Sequence, residues 1–447
     1  MEKKHMFSNR DLRKLLIPLV VEQILNSLMG TADSIMVSNV GPAAISAVSL
    51  VDSINILVIQ AFYALAAGGA IICSQYIGQG DHKNAGRSAN QLVFVVTVIS
   101  AAVTAACLAF RMPLLKLIFG QVEPAVMDAA QIYFFFTTLS FPFIALYDAG
   151  SSVYRAQGNT KLPMTIAVVS NGLNICGNAV LIWGFKMGVT GAALATLGSR
   201  IFSAVIVFAF LRKKDQTLVI RDYFKIRPDL YKIRMILAVG IPNGIENAMF
   251  QFGKLAIQST VSTMGTIVWI AAQAMTNIME NLNGIAAIGI GIGLMTVVGQ
   301  CMGAGRKEEA VYYIKKLSGL AEIVIIISCL AVFALTKPIT ILAGMEKESA
   351  DMCFYMVGWI TFVKPLVWAL AFIPAYGLRA AGDVKFSMCT SCVTMWAFRV
   401  SLCIFLCRQF GFGPMAVWIG MFTDWTIRAV IFTWRFLSGR WMSHKVV

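Results

Sequence analysis

The chain has 447 residues, 58% of them apolar and only 13% charged, with a formal net charge of +15 at pH 7. Soluble domains are about 45–50% apolar and about 25% charged, so this composition excludes an ordinary soluble globular protein and points to the membrane. In a soluble chain the positive balance would imply a nucleic-acid partner, but here the lysines and arginines fall into discrete loops between apolar runs, which argues against one.

In chain order, the first half reads as six apolar spans at residues 15–37, 47–73, 91–110, 130–150, 162–184 and 189–211. Each is near or above the roughly 20 residues that a helix needs to cross a bilayer. The longest polar interval, RKKDQTLVIRDYFKIRPDLYKIR at residues 212–234, follows almost at the midpoint. Six further spans follow it, at 235–260, 266–298, 317–342, 352–376, 386–407 and 414–437. In lipid only helices and closed barrels satisfy the backbone, and long runs without alternation are helices. The expected fold is therefore all-α integral membrane, with twelve transmembrane helices in two six-helix bundles: residues 1–211, a linker at 212–234, and residues 235–447. The first run is too long for a cleaved signal and lacks a small-residue cleavage site.

The two halves are copies. Pro18 and Pro242, Glu22 and Glu246, Arg155 and Arg379, Gly158 and Gly382, and Lys161 and Lys385 share an offset of about 224, the mark of a duplicated unit. YRAQGNTKLPM from Tyr154 is answered by LRAAGDVKFSM from Leu378. Gln75, Gly78 and Gly80 are answered one residue out of step by Gln300, Gly303 and Gly305. Six spans per copy give both copies the same orientation, a parallel repeat with its axis along the membrane normal and a binding cavity between the halves. Small residues cluster in the second helix of each copy, Ala66 to Ala70 and Gly289, Gly291 and Gly293, where close helix packing is expected. No strand precedes them and no Gly-Lys-Ser/Thr ending follows, so they are not a phosphate loop. Without a nucleotide site, any transport would have to be driven by an ion gradient or by the substrate's own.

Basic residues concentrate at the N-terminus (Lys3, Lys4, Arg10, Arg13, Lys14), in the linker, and in alternate loops holding Lys83 and Arg87, Arg155 and Lys161, Arg306 and Lys307, and Arg379 and Lys385. This positive-inside pattern predicts a plasma-membrane protein with both termini and the linker in the cytoplasm. The ten cysteines lie mostly in apolar runs and read as packing residues, while His5, His82 and His444 form no ligand cluster. No nucleophile with its base and no metal spacing is evident, so an enzyme is not expected, nor any cofactor beyond a coupling ion.

Charges inside the spans carry the functional expectations, because a charge at membrane depth costs at least about 2.5–3.5 kcal/mol and commonly faces a wet cavity. Asp33 lies about 22 Å along the first helix beyond Pro18, in the outer half of the bilayer, where a carboxyl is suited to bind and release a proton. Asn174 and Asn178, spaced i, i+4, point the same way and could hydrogen-bond Asp33, ligate a cation such as sodium beside it, or serve as helix glue. Glu22 and Glu246 lie four residues after a proline near the cytoplasmic face, where water is expected to reach them, in a structural, gating or coupling role. Lys254, Glu280, Lys364 and Arg399 are expected to pair among themselves, with at least one of the two lysines joined to Glu280 or another acid. Unpaired lysines would instead favour an anionic cargo. Asp52 and Asp148 are further acids whose facing the sequence leaves open.

MGTADSIMVSNVG from Met29, the Gly-Gln-Gly and Gly-Ala-Gly loops, the two Arg-Ala-x-Gly-x-x-Lys loops, Asn174-x-x-x-Asn178 and the closing DWTIRAVIFTWRFLSGRW from Asp424 together resemble the multidrug and toxic compound extrusion (MATE) family over nearly the whole chain. The resemblance implies a V-shaped cavity between two lobes and export of amphipathic, often cationic drugs or toxins in exchange for protons or sodium. It also places cation coupling at Asp33 with Asn174 and Asn178. Three positions depart from the family pattern. Phe250 and Trp368 stand where the sodium-coupled branch has acids, and Asn178 stands where the archaeal branch has Asp. The first functional expectation is a monomeric drug antiporter that meets membrane lipids and no nucleic acid. The alternative is a flippase of the wider superfamily for lipid-linked oligosaccharides or related anionic lipids, its pyrophosphate held by the basic second half.

Overall fold

The computed structural model describes residues 5–444 and 446–447, so the basic residues Lys3 and Lys4 lie outside the described residues. The first helices are α1 (Asn9–Ser38), α2 (Pro42–Gln79), α3 (His82–Ala109), the short α4 (Arg111–Phe119), α5 (Pro124–Leu139), α6 (Phe141–Ala156), α7 (Lys161–Asn178) and α8 (Val189–Leu211). After them come α9 (Leu230–Met264), α10 (Ile267–Gly303), α11 (Lys307–Leu342), α12 (Lys347–Ala380), α13 (Val384–Val393), α14 (Ser401–Phe405) and α15 (Met415–Leu437). Ten helical spans among the described residues are long and apolar enough to cross a membrane. α5 and α6 together make an eleventh, bent by 40° at Ser140, because Pro142 in the next turn supplies no backbone donor. α9 has ample length at 35 residues but is more polar, carrying Asn243, Glu246, Asn247, Gln251 and Lys254 on its way through. With α13 and α14 counted as one span, the expected twelve are present. The short α4 after the third span was not expected from the sequence.

The chain forms two compact units, one made of Asn9–Gly244 and one of Ile245–Val446 with residues 5–8. In the first, α2 packs against α3, α5 and α6, while α7 lies between α1 and α8. Local chemistry sets the ends. Pro42 opens α2, where a missing donor costs nothing, and Gly80 closes it in a left-handed conformation (φ 79°) that returns its N–H to Ile77. Asp81 then caps α3 by accepting from the Asn84 backbone N–H. The small-residue cluster packs as expected, since a Cβ on Gly68 would lie 2.7 Å from the Gly240 backbone nitrogen in α9. The 212–234 interval is packed rather than free. Leu218 and Ile220 are buried, and the Gln91 side chain holds the Arg227 carbonyl and the Asp229 N–H.

In the second unit α10 packs against α11 and α12, and α12 against α15. The span begun by α13 passes through a π-helical stretch, Thr394–Val400, and ends in another, Leu406–Phe410. α7 of the first unit likewise runs into a π-helical stretch, Ala179–Gly184. Residues 5–8 lie on the start of α11, where the Met6 N–H donates to Glu309 and the His5 ring stacks on Tyr312 at 4.4 Å.

Candidate functional site

Each unit holds a polar cluster at membrane depth. In the first, the i, i+4 spacing on α7 turns Asn174 and Asn178 to one face, and α1 brings Asp33 to it. Asn178 Nδ2 donates to Asp33 Oδ1 at 2.6 Å and to Asn174 Oδ1 at 3.1 Å. Asn174 makes no direct hydrogen bond to Asp33. Its own Nδ2 donates to Thr196 and Ser199 on α8, both at 3.4 Å. The amide ladder therefore ties α1 to α8 through α7, and both amides are buried while Asp33 is half-buried. On α2, Asp52 Oδ1 accepts from the Tyr133 hydroxyl and from Asn55, each at 3.2 Å, and Thr137 donates to Asn55 at 3.4 Å. Arg200 on α8 donates to Ser140 at the α5–α6 bend at 2.6 Å and lies within electrostatic range of Asp33, Asp52 and Asp148. Nothing in the order of residues singles out Tyr133, Thr196, Ser199 or Arg200.

Glu22 does not sit in water as its position after Pro18 led us to expect. It is 2% exposed and accepts from Arg155 Nη2 at 2.7 Å. Glu246 is likewise buried and accepts from Arg379 Nη2 at 2.5 Å. A carboxylate that meets a guanidinium this closely can be enclosed, which is the physical reason for the difference. Each pair spans 133 residues, so duplication has preserved a whole ion pair. That equal spacing was readable in the sequence, where both members already shared the repeat offset.

In the second unit a cavity of about 550 Å³ is lined from α9, α10, α12, α13, α15 and the π-helical stretch of Arg399. The expected lysine–acid pair is present. Lys364 Nζ donates to Glu280 Oε1 at 2.6 Å, to the Glu280 carbonyl at 3.0 Å and to Asn283 Oδ1 at 2.5 Å, which satisfies all three of its protons. Gly284 makes room for it, since a Cβ there would stand 3.0 Å from Nζ. Lys254 does not join that pairing. Its ammonium lies over the Phe250 ring, 4.8 Å from the centroid, and has no hydrogen-bonded or ion-pair partner among the described residues. Asp424, fully buried, accepts from Nε and Nη2 of Arg428, both at 3.3 Å, and stands 3.9 Å from Arg399 Nη1. Phe250 and Trp368 line the same cavity.

The MatE family model matches the chain twice, at residues 18–180 and 242–405. A probable multidrug resistance protein NorM of Thermotoga maritima is 25% identical over 445 residues, covering 98% of this chain and 94% of its own. Among solved structures, an outward-facing multidrug resistance MATE family transporter of the MOP superfamily superposes with a TM-score of 0.87 at 19% identity, covering 98% of this chain and 97% of its own. A MOP superfamily transporter from Pyrococcus furiosus Vc1, for which reverse polarity of the binding pocket suggests a different function, gives the same TM-score, identity and coverage.

Proposed function

Because the chain belongs to the MATE family, whose members are multi-pass membrane transporters and not enzymes, we propose that it is a secondary antiporter of the cell membrane, exporting amphipathic small molecules in exchange for a cation bound at Asp33. The observation that carries this reading is the Asp33–Asn178 contact within the buried amide ladder of α7. A carboxylate so placed can hold a proton alone and give it up when the amide donor returns. A proton needs only the one carboxylate, whereas a sodium ion needs several oxygens turned to one point. This supports the proton over sodium.

In the cycle we infer, an external proton neutralises Asp33, its hydrogen bond to Asn178 weakens, and α1 shifts against α7. That shift releases the cargo outward, and the return step delivers the proton to the cytoplasm. Reciprocity of linkage requires that cargo binding oppose proton binding by the same factor. The Glu22–Arg155 and Glu246–Arg379 pairs hold the helix ends on the cytoplasmic side, with both termini and the 212–234 segment in the cytoplasm.

The test is gradient-driven efflux from proteoliposomes across a dye panel containing both cations and anions. Asp33→Asn should abolish transport at an imposed pH gradient while the protein remains monodisperse. Transport by that variant at the wild-type rate would make Asp33 structural and remove the mechanism. A requirement for external sodium at fixed pH would remove only the proton preference. The flippase reading draws on one feature, the excess of cationic side chains around the second-unit cavity.

A further inference from the structure

The cavity of the second unit is surrounded by five cationic side chains, Lys254, Lys364, Arg379, Arg399 and Arg428, and three carboxylates, Glu246, Glu280 and Asp424. Three of the cations have a partner at hydrogen-bond distance: Lys364 with Glu280, Arg379 with Glu246, and Arg428 with Asp424. Lys254 and Arg399 are left over. Both lie on the same ring, Lys254 Nζ at 4.8 Å and the Arg399 guanidinium at 5.2 Å from the Phe250 centroid. Arg399 is only 4% exposed, yet its Nε and Nη1 have no hydrogen-bond acceptor, and the nearest carboxylate is already held by Arg428. Buried donors are nearly always satisfied, and although Asp424 Oδ2, itself without a hydrogen bond, faces Nη1, its 3.9 Å is beyond hydrogen-bond reach, so the guanidinium at the cavity wall keeps donors that an oxyanion can take.

The arrangement is built into the backbone. Arg399 sits in the π-helical stretch Thr394–Val400, a local rewinding frequent at functional sites. α15 approaches it closely, since a Cβ on Gly420 would lie 2.7 Å from the Arg399 carbonyl oxygen. Under the repeat offset Asp33 falls on Ile257 and Asp148 on Phe372, so these two acids are apolar in the second half, while the same offset carries Arg200 onto Asp424.

We propose that this cavity binds the anionic group of an amphipathic cargo, a carboxylate or phosphate held between Lys254 and Arg399, with the cargo's apolar part against Phe250, Trp368 and Phe372. Guanidinium and ammonium together suit an oxyanion, one by its planar fork and the other as a point charge. The aromatic walls and the volume of about 550 Å³ exceed what an inorganic ion fills and fit a small organic molecule. The proposal rests on the transporter reading and narrows its cargo class.

The experiment is equilibrium binding to the full chain in detergent, which needs no gradient and so is independent of coupling at Asp33. Fluorescein is the aromatic carboxylate probe, followed by anisotropy. Farnesyl pyrophosphate is the lipid-phosphate competitor, farnesol its uncharged counterpart, and ethidium the cationic control. Fluorescein or farnesyl pyrophosphate should bind at least tenfold more tightly than farnesol and ethidium, with affinity falling as salt rises. Lys254→Met, whose side chain borders open space, should cost at least tenfold and remain folded, and Lys254→Glu should reverse the preference toward ethidium. Stronger binding of fluorescein identifies a free organic anion as cargo, and stronger binding of the pyrophosphate identifies a lipid phosphate. Either supports the proposal. Wild-type anion affinity in a folded Lys254→Met, or no preference for the anions over farnesol and ethidium, overturns it. Loss of the Asp33 requirement in transport, with anion binding intact, would overturn the coupling mechanism alone.

Discussion

Glu22 and Arg155 offer the sharpest test of how α1 is held to the end of α6. Their side chains are 2% and 8% exposed and their charged atoms are 2.7 Å apart. At an effective dielectric of about 20, unit charges at that distance attract by about 6 kcal/mol, and much of this offsets their removal from water. Replacing one partner removes the closest counter-charge of a buried group, so Glu22→Met or Arg155→Met should each cost about 3–5 kcal/mol, whereas the double substitution to Met should be nearly neutral. The assay is the half-life of monodisperse protein in detergent at a fixed elevated temperature. Even if half of the loss falls on the unfolding barrier, each single variant should inactivate at least about tenfold faster than wild type, with the double variant within about threefold of it. Single variants that decay at the wild-type rate would refute the pairing. A double variant that loses as much as both singles combined would show that the two charges act independently.

Other expectations follow from the same geometry. Glu246→Met should destabilise less than Glu22→Met in that assay, because the Arg379 and Glu246 side chains are 17% and 10% exposed and water screens a stranded charge better there. Lys364→Met should cost about 3–5 kcal/mol by stranding Glu280, and adding Glu280→Gln should recover most of the half-life; no recovery would argue against the pair. Lys214→Cys, at an exposed position and in a background without native cysteines, should react with an impermeant maleimide only after the cell is opened, and labelling from outside intact cells would invert the proposed orientation.

Composition and repetition determined a great deal without any coordinates. Uncharged runs of about 20 residues admit only helices in lipid, which is why the span count could be read directly. The shared offset of Glu22, Arg155, Glu246 and Arg379 fixed the duplication. Asp33, Asn174 and Asn178 stood out because polar groups at membrane depth are rare, and the i, i+4 spacing placed both amides on one face of α7.

Tertiary structure decided which of these groups meet. A lone sequence says that a carboxylate is enclosed but not what encloses it. Glu22 looked accessible from its place near a helix end, and only the approach of α6 brings Arg155 to cover it. Asn174 and Asn178 looked equivalent, yet α1 passes close enough for Asn178 alone to reach Asp33. Lys254 and Lys364 looked alike as intramembrane lysines. α10 turns Glu280 and Asn283 toward Lys364, and Gly284 leaves room for its ammonium, while Lys254 meets Glu280 only at longer electrostatic range. Hydrogen bonding and charge compensation act over about 3 Å, whereas the sequence fixes only position along each helix axis; rotation and crossing are set by packing against neighbours, Gly68 on Gly240 and Gly420 on Arg399 among them.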